Sequence, residues 1–226
     1  MLEQAADALG PLCKEVVFLG GASIALWLTD PSAPNPRPTK DVDVVVEVTS
    51  RLGYLRFSEK MRSRGFSEDA QSTVLCRWRH TRAELLLDAM PANPAILGFA
   101  NLWQAAALEH AIKRELPSGA IIRAATAPYL LATKLEAFAG RGRNDVIASH
   151  DFEDIIALID GRAELPEETH AAPMDLRVYL ATQLNELRAI PDFLINVATM
   201  LRPDPASQAR AETVVLPRIA RIATSA

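Results

Sequence analysis

The chain is short of aromatic residues, which make up 6% of its 226 positions. Its core must therefore be mainly aliphatic, and an alanine-rich aliphatic core favours helices over a large β-sandwich. Cysteine and histidine are scarce too, at two and four residues. Cys13 and Cys76 form no zinc pattern, and His80, His110, His150 and His170 are scattered without metal-ligand spacing. Two thiols in a chain with no secretory features are expected to stay reduced. Residues 1–10 carry Glu3 and Asp7 and lack the basic-then-apolar layout of a signal peptide. No uncharged run reaches the roughly 18 to 20 residues needed to span a bilayer. These absences lead us to expect a cytoplasmic protein with no membrane partner. A basic excess is missing as well: the net charge of -4 excludes a broad, sequence-independent nucleic-acid coat, which needs many Lys or Arg to replace phosphate counterions. A local basic patch stays open.

What is present is ordinary for a globular protein. Hydrophobic residues make up 49% and charged residues 23%, far from a disordered composition, and the length suits one large domain or two small ones. Val16 to Leu19 is a short apolar run that stops at Gly20-Gly21, after which Ala22 to Leu28 reads as a helix. Asp30 to Pro38 holds Pro31, Pro34, Pro36 and Pro38, a spacing no helix tolerates, and is expected to be an exposed loop. Val42 to Val48 is rich in β-branched residues and predicts a buried strand, followed by a helix from Ser50 to about Arg64. Thr73 to Trp78 and Ala83 to Ala89 predict two more strands around a His80-Thr81-Arg82 turn, and Gly119 to Ala124 one further short strand. From Pro128 onward the periodicity is helical: Tyr129 to Phe138, His150 to Ile159, Met174 to Leu187 and Pro205 to Ile222. The expected fold is α/β (α+β), a lobe of mixed sheet and helices over residues 1–125 followed by a mainly helical lobe over 126–226.

The informative stretch runs from Arg37 through Thr39 to Asp41-Val42-Asp43, two carboxylates two residues apart at the entry of an apolar strand. Residues i and i+2 of a strand point to one face, roughly 6.6 Å apart along the chain at about 3.3 Å per residue. Two such anions repel, and one or two divalent cations relieve the repulsion and supply the chemistry of in-line phosphoryl transfer. Magnesium suits such an all-oxygen set, with manganese as its substitute. Asp88 ends the Glu84-Leu85-Leu86-Leu87 run, and an adjacent antiparallel strand would bring it beside Asp41 and Asp43 as third ligand and general base. A bare Asp-x-Asp is equally a pair of surface charges at a strand end. Upstream, Gly20-Gly21-Ala22-Ser23 lies between strand and helix. The glycines let backbone approach a phosphate, the helix start offers free N–H groups, and the Ser23 hydroxyl can donate to a phosphate oxygen.

Together, Gly20-Gly21-Ala22-Ser23, Asp41-Val42-Asp43 and Asp88 resemble the signature of the polymerase β nucleotidyltransferase superfamily. Arg37-x-Thr39-x-Asp41-x-Asp43, Tyr129 to Ala137, Arg141-Gly142-Arg143-Asn144-Asp145 and Asp151-x-x-Asp154-Ile155 resemble more closely its AbiEii/AbiGii branch, the toxins of toxin-antitoxin systems that include the MenT toxins. The resemblance implies transfer of a nucleoside monophosphate from an NTP, with Mg²⁺ as cofactor, to an acceptor such as the 3′ end of tRNA, and a cognate antitoxin as partner. It also implies nucleotide contacts from Gly20, Gly21, Ser23, Arg37 and Thr39, a triphosphate contact from Lys134, and a catalytic or base contact from Asp151. Read without it, Lys134 is a lone cation on an apolar helix or a snorkelling surface lysine. Asp151 and Asp154 share a helix face at i and i+3, where Asp151 also suits the helix dipole. Arg210, Arg218 and Arg221 read as a solvated helix face, with RNA or protein docking as the alternative. Trp27, Trp78 and Trp103 read as core. Two other functions remain open: nucleotidyl transfer to a protein hydroxyl or small molecule, and a nucleotide-binding module without catalysis.

Overall fold

The structure is a computed structural model that describes residues 1–142 and 146–224. It is of mixed α/β class and consists of two compact units, Met1–Ser23 with Pro38–Thr126, and Ile24–Arg37 with Ala127–Ala226. The segment Ile24–Arg37, which a linear division at residue 125 assigns to the first lobe, thus groups with the C-terminal helices.

The first unit runs α1 (Leu2–Leu9), β1 (Val16–Leu19), β2 (Asp41–Val46), α2 (Arg51–Ser63), β3 (Phe66–Glu68), β4 (Arg77–His80), β5 (Leu85–Pro91), α3 (Pro94–Leu97), α4 (Gln104–Glu109), β6 (Ile112–Glu115) and β7 (Ile121–Ala124). Its strands form one seven-stranded sheet in the order β3-β4-β5-β2-β1-β7-β6. β2 with β5 and β1 with β7 are parallel; the other neighbours are antiparallel. The β-branched run of β2 has its reason here: Val42, Val44, Val45 and Val46 are all 0% exposed, as befits a central strand covered on both faces. The edge strand β6 instead exposes Lys113 and Glu115, charges that discourage pairing with a further strand. The helix α2 starts where its cap lies, the Ser50 hydroxyl accepting from Gly53 N at 3.1 Å. It buries Tyr54, Phe57 and Met61, and the Tyr54 hydroxyl donates to Ala89 O of β5 at 2.9 Å.

Three expectations change. β5 is parallel to β2 rather than antiparallel, because β4 pairs antiparallel between β3 and β5 and the chain returns to β2 through a crossover. The strand expected over Thr73 to Trp78 begins at Arg77 and runs to His80. The helix expected over Ala22 to Leu28 is a six-residue 3₁₀ helix, Gly21–Leu26.

The second unit contains α5 (Ala127–Ala137), α6 (His150–Gly161), α7 (Leu165–His170), α8 (Met174–Arg188), α9 (Phe193–Thr199), α10 (Pro205–Arg210) and α11 (Leu216–Ala223), with a π-helical turn, Ala211–Val215, joining the last two. α5 packs on α6 and α8, and α11 on α7 and α8. Aromatic rings pass between elements, Phe138 to Phe152 at 5.5 Å and Phe152 to Phe193 at 6.4 Å between centroids. The segment Ile24–Arg37 is fastened to the end of α6. Thr29 N and Asp30 N donate to Gly161 O at 2.8 and 3.0 Å, and a Cβ on Gly161 would stand 2.4 Å from Leu28 Cδ2. Asp30 is also held by Arg210 at 2.8 Å and Arg218 at 3.5 Å. Arg210 additionally binds Asp160 at 2.8 Å, and with 12% and 15% side-chain exposure Arg210 and Arg218 are parts of an internal ion network rather than of a solvated face. Among the described residues no helix is long and apolar enough to cross a membrane.

Candidate active site

The centre of the first unit's sheet carries the acidic residues. Asp43 of β2 lies directly opposite Asp88 of the parallel neighbour β5, and Asp41 opposite Leu86. Residues in register on adjacent strands share a face, as do i and i+2 on one strand, so Asp41, Asp43 and Asp88 all project to the same side. Asp88 is 6% exposed, a carboxylate too deep to be balanced by water alone.

On the other side of β2, β1 ends with Leu19 opposite Asp43. The next residue, Gly20, has φ +74, and a Cβ there would stand 1.9 Å from Asp43 Oδ2. Only glycine both adopts this backbone and leaves room for the carboxylate. The Gly-Gly turn is therefore shaped around Asp43. Gly21 is buried at the start of the 3₁₀ helix. Ser23 is 0% exposed and donates its hydroxyl to Leu19 O at 2.9 Å, so its proton holds the turn to the strand rather than standing ready for a phosphate. Thr39, just before β2, donates to Met1 Sδ at 3.3 Å.

The residue that sequence reasoning missed is Arg77. It opens β4 opposite Asp88, extending the row Leu19, Asp43, Asp88 by one strand. Its guanidinium grips Asp88 with two parallel bonds, Nε to Oδ1 and Nη2 to Oδ2, both 2.8 Å, and Nη2 also donates to Asp41. The hydrogen bonds from Arg77 to Asp88 raise its already high pKa further, against the opposing effect of burial. The signal available in sequence was the alternation Arg77-Trp78-Arg79-His80, which buries Trp78 and turns both arginines the other way. The three carboxylates form the all-oxygen donor set that a hard divalent cation takes, so the residues fit magnesium in kind. As the side chains stand, Arg77 supplies the positive charge, and among the described residues no group of three or more His, Cys, Asp or Glu is arranged to hold a metal ion.

Lys134, Asp151 and Arg37 belong to the second unit, where they cluster around Asp154. Lys134 Nζ lies 2.6 Å from Asp154 and 3.2 Å from Asp151, and Arg37 Nε 3.0 Å from Asp154. The Asp154 side chain is 1% exposed and the Lys134 side chain 11%. Lys134 is thus neither a lone cation nor a snorkelling surface lysine, and the two cations offset the charges of Asp151 and Asp154. The i, i+3 spacing on α6 turns both carboxylates toward α5, and Ser149 caps α6 by accepting from Phe152 N at 3.3 Å. Arg37 and Thr39, adjacent in the motif, fall in different units. Arg143, Asn144 and Asp145 lie outside the described residues, as does the side chain of Arg141.

Basic surface in the first unit gathers in a depression of about 440 Å³ lined by Arg62, Arg64, His80 and Arg82. Two of these cations are already committed: Arg62 pairs with Glu68 at 2.6 Å, and Arg64 donates to Ala8 O at 3.0 Å and Asp7 O at 3.1 Å. Both cysteines are buried free thiols. Burial pushes Cys13 up to about 11 and Cys76 up to about 12, so neither is a nucleophile at neutral pH. Trp27, Trp78 and Trp103 are 2%, 2% and 7% exposed and serve the core. No family model and no curated protein matches the chain.

Proposed function

We propose that the chain is a magnesium-dependent nucleotidyltransferase that moves a nucleoside monophosphate from an NTP to the 3′ end of tRNA with release of pyrophosphate, as the toxin of a toxin-antitoxin pair. The observation that carries the enzymatic part is the register of Asp43 against Asp88, with Asp41 on the same face and the Gly20 turn packed against Asp43. In this reading Asp41, Asp43 and Asp88 hold the divalent cation, which when bound neutralises the phosphates and orients them for in-line displacement. The Gly20-Gly21 backbone lets a phosphate come close beside Asp43. In the same reading Asp88, once its oxygens are released by Arg77, accepts the proton of an attacking hydroxyl. A triphosphate contact from Lys134 requires the amine to give up Asp154. The tRNA acceptor and the toxin role rest on the motif resemblance to the AbiEii/AbiGii family.

One observation favours a second reading. The grip of Arg77 on Asp88 and Asp41 would also make these residues an ordinary ion network in a binding module without catalysis. One experiment separates the two. The protein, incubated with Mg²⁺, total tRNA and each α-labelled NTP in turn, should label tRNA, and Asp41→Ala or Asp43→Ala should abolish the label while the fold persists, because removing one of several clustered anions relieves repulsion. Label on protein would move the acceptor to a protein hydroxyl. No label from a folded wild type would leave the binding module.

A further inference from the structure

We propose that Arg77 is a resident counter-cation of the carboxylate cluster, and that it must leave Asp88 and Asp41 before a divalent cation can bind, so that metal loading and arginine release are one exchange. This rests on the reading of Asp41, Asp43 and Asp88 as metal ligands.

The two cations want the same oxygens. Arg77 occupies both oxygens of Asp88 at 2.8 Å and one of Asp41, so an ion shared by these carboxylates would compete with the guanidinium for the same oxygens and be repelled by its charge. A lysine or histidine in this place could yield by losing a proton. Arginine cannot, since its charge persists at any ordinary pH, so the guanidinium has to move. The structure gives it a way out. The Arg77 side chain is 20% exposed at the end of a flexible arm, while its backbone is fixed by the β4 to β5 ladder and by Ala89 N donating to Cys76 O at 2.9 Å. Asp88 cannot do without either cation, because at 6% exposure it would be left as a buried, uncompensated charge. The cluster therefore keeps one positive partner or the other, and the apparent metal affinity is the intrinsic affinity scaled by the fraction of molecules with Arg77 withdrawn.

The test is Mn²⁺ binding to the full-length, nucleotide-free protein, read from the electron paramagnetic resonance signal of free Mn²⁺, for wild type, Arg77→Met and Arg77→Lys. Arg77→Met should bind on the order of tenfold more tightly than wild type, and Arg77→Lys, which keeps the charge without the two-pronged grip, should fall between. In wild type, the Arg77 Nε–Hε resonance should be protected without metal and lose that protection at saturating Mg²⁺. Equal or weaker binding by both variants, or a resonance unchanged at saturation, would overturn the exchange while leaving the metal site standing. No Mn²⁺ binding by folded wild type and variants alike would defeat the metal-ligand reading with it. Should Arg77→Met fail to fold, Arg77→Lys and the resonance decide the matter.

Discussion

Replacing Lys134 with methionine keeps most of the side chain's length and apolar bulk and removes only its charge. The cost can be worked from the surroundings. Asp154, with its side chain 1% exposed, would lose a 2.6 Å partner and keep Arg37 at 3.0 Å, and Asp151 would lose a 3.2 Å contact. Deleting one partner of a buried pair typically costs about 3 to 5 kcal/mol, and because Arg37 still compensates Asp154 the low end applies, about 3 kcal/mol. For a chain of this size each kcal/mol lowers the melting temperature by about 2 to 4 °C, which gives a fall of about 6 to 12 °C for Lys134→Met. Thermal melts followed by far-ultraviolet circular dichroism would measure it. Adding Asp154→Asn should recover part of the loss, since the orphaned charge goes with its partner, and the coupling should be about 1 to 3 kcal/mol. A variant that melts within about 2 °C of wild type would refute the reasoning, because ordinary surface substitutions stay within about 0.5 kcal/mol. If such a variant had also lost nucleotidyl transfer, the lysine would belong to the substrate alone.

Gly20→Ala should cost more than Gly98→Ala, although both residues have positive φ, because a Cβ meets Asp43 Oδ2 at 1.9 Å at the first and nothing within 4 Å at the second. The shared left-handed cost is about 1 to 2 kcal/mol, and urea titrations should show the excess at Gly20 together with lost transfer activity. Neither Cys13 nor Cys76 should react with a thiol reagent in the native protein at about pH 8, whereas both should react after denaturation. Because the folded state favours the neutral thiols, their stabilisation is complete below the ordinary pKa of 9.0 and is lost as pH rises through about 11 to 12, so alkaline melts should steepen there. Asp30 is lowered from 3.8, mainly by the hydrogen bond from Arg210, so its contribution is present above that pH and lost as pH falls below it. Asp160, raised chiefly by burial, has the opposite sign. Asp30→Asn should therefore flatten the acid limb of the stability curve, and an unchanged limb would show that Asp30 carries no such linkage.

Much of this was legible in the residues. The β-branched run announced β2, the apolar Val16–Leu19 run announced β1 with its bounds, and Ser50 marked the start of α2. Elements with weak periodicity were not: β3 is three residues long, β6 is Ile-Lys-Arg-Glu on a sheet edge, and α1 lay in a stretch read only for targeting signals. The same-face placement of Asp41 and Asp43 follows from strand geometry. The position of Asp88 beside Asp43 depends on which strands are neighbours, and β5 runs parallel rather than antiparallel to β2 because a crossover through α2, β3 and β4 separates them. The alternation around Trp78 shows which way Arg77 faces, but not that it meets Asp88 and Asp41, since a row across three strands is a property of register. Lys134 looked like a lone cation because its partners stand 17 and 20 positions away on α6, beyond any helical spacing.

The path of Ile24–Arg37 has a consequence for dissecting the protein. The chain passes from one unit to the other after Ser23, after Arg37 and after Thr126, so no single cut yields both units whole. A fragment ending at residue 126 would carry Leu28, Thr29 and Asp30 away from Gly161, Arg210 and Arg218. The complementary fragment would keep Asp160 and those arginines but lose the strand of chain that covers them. Each half should be poorly folded alone and regain structure when the two are mixed, which circular dichroism of separate and combined fragments would reveal.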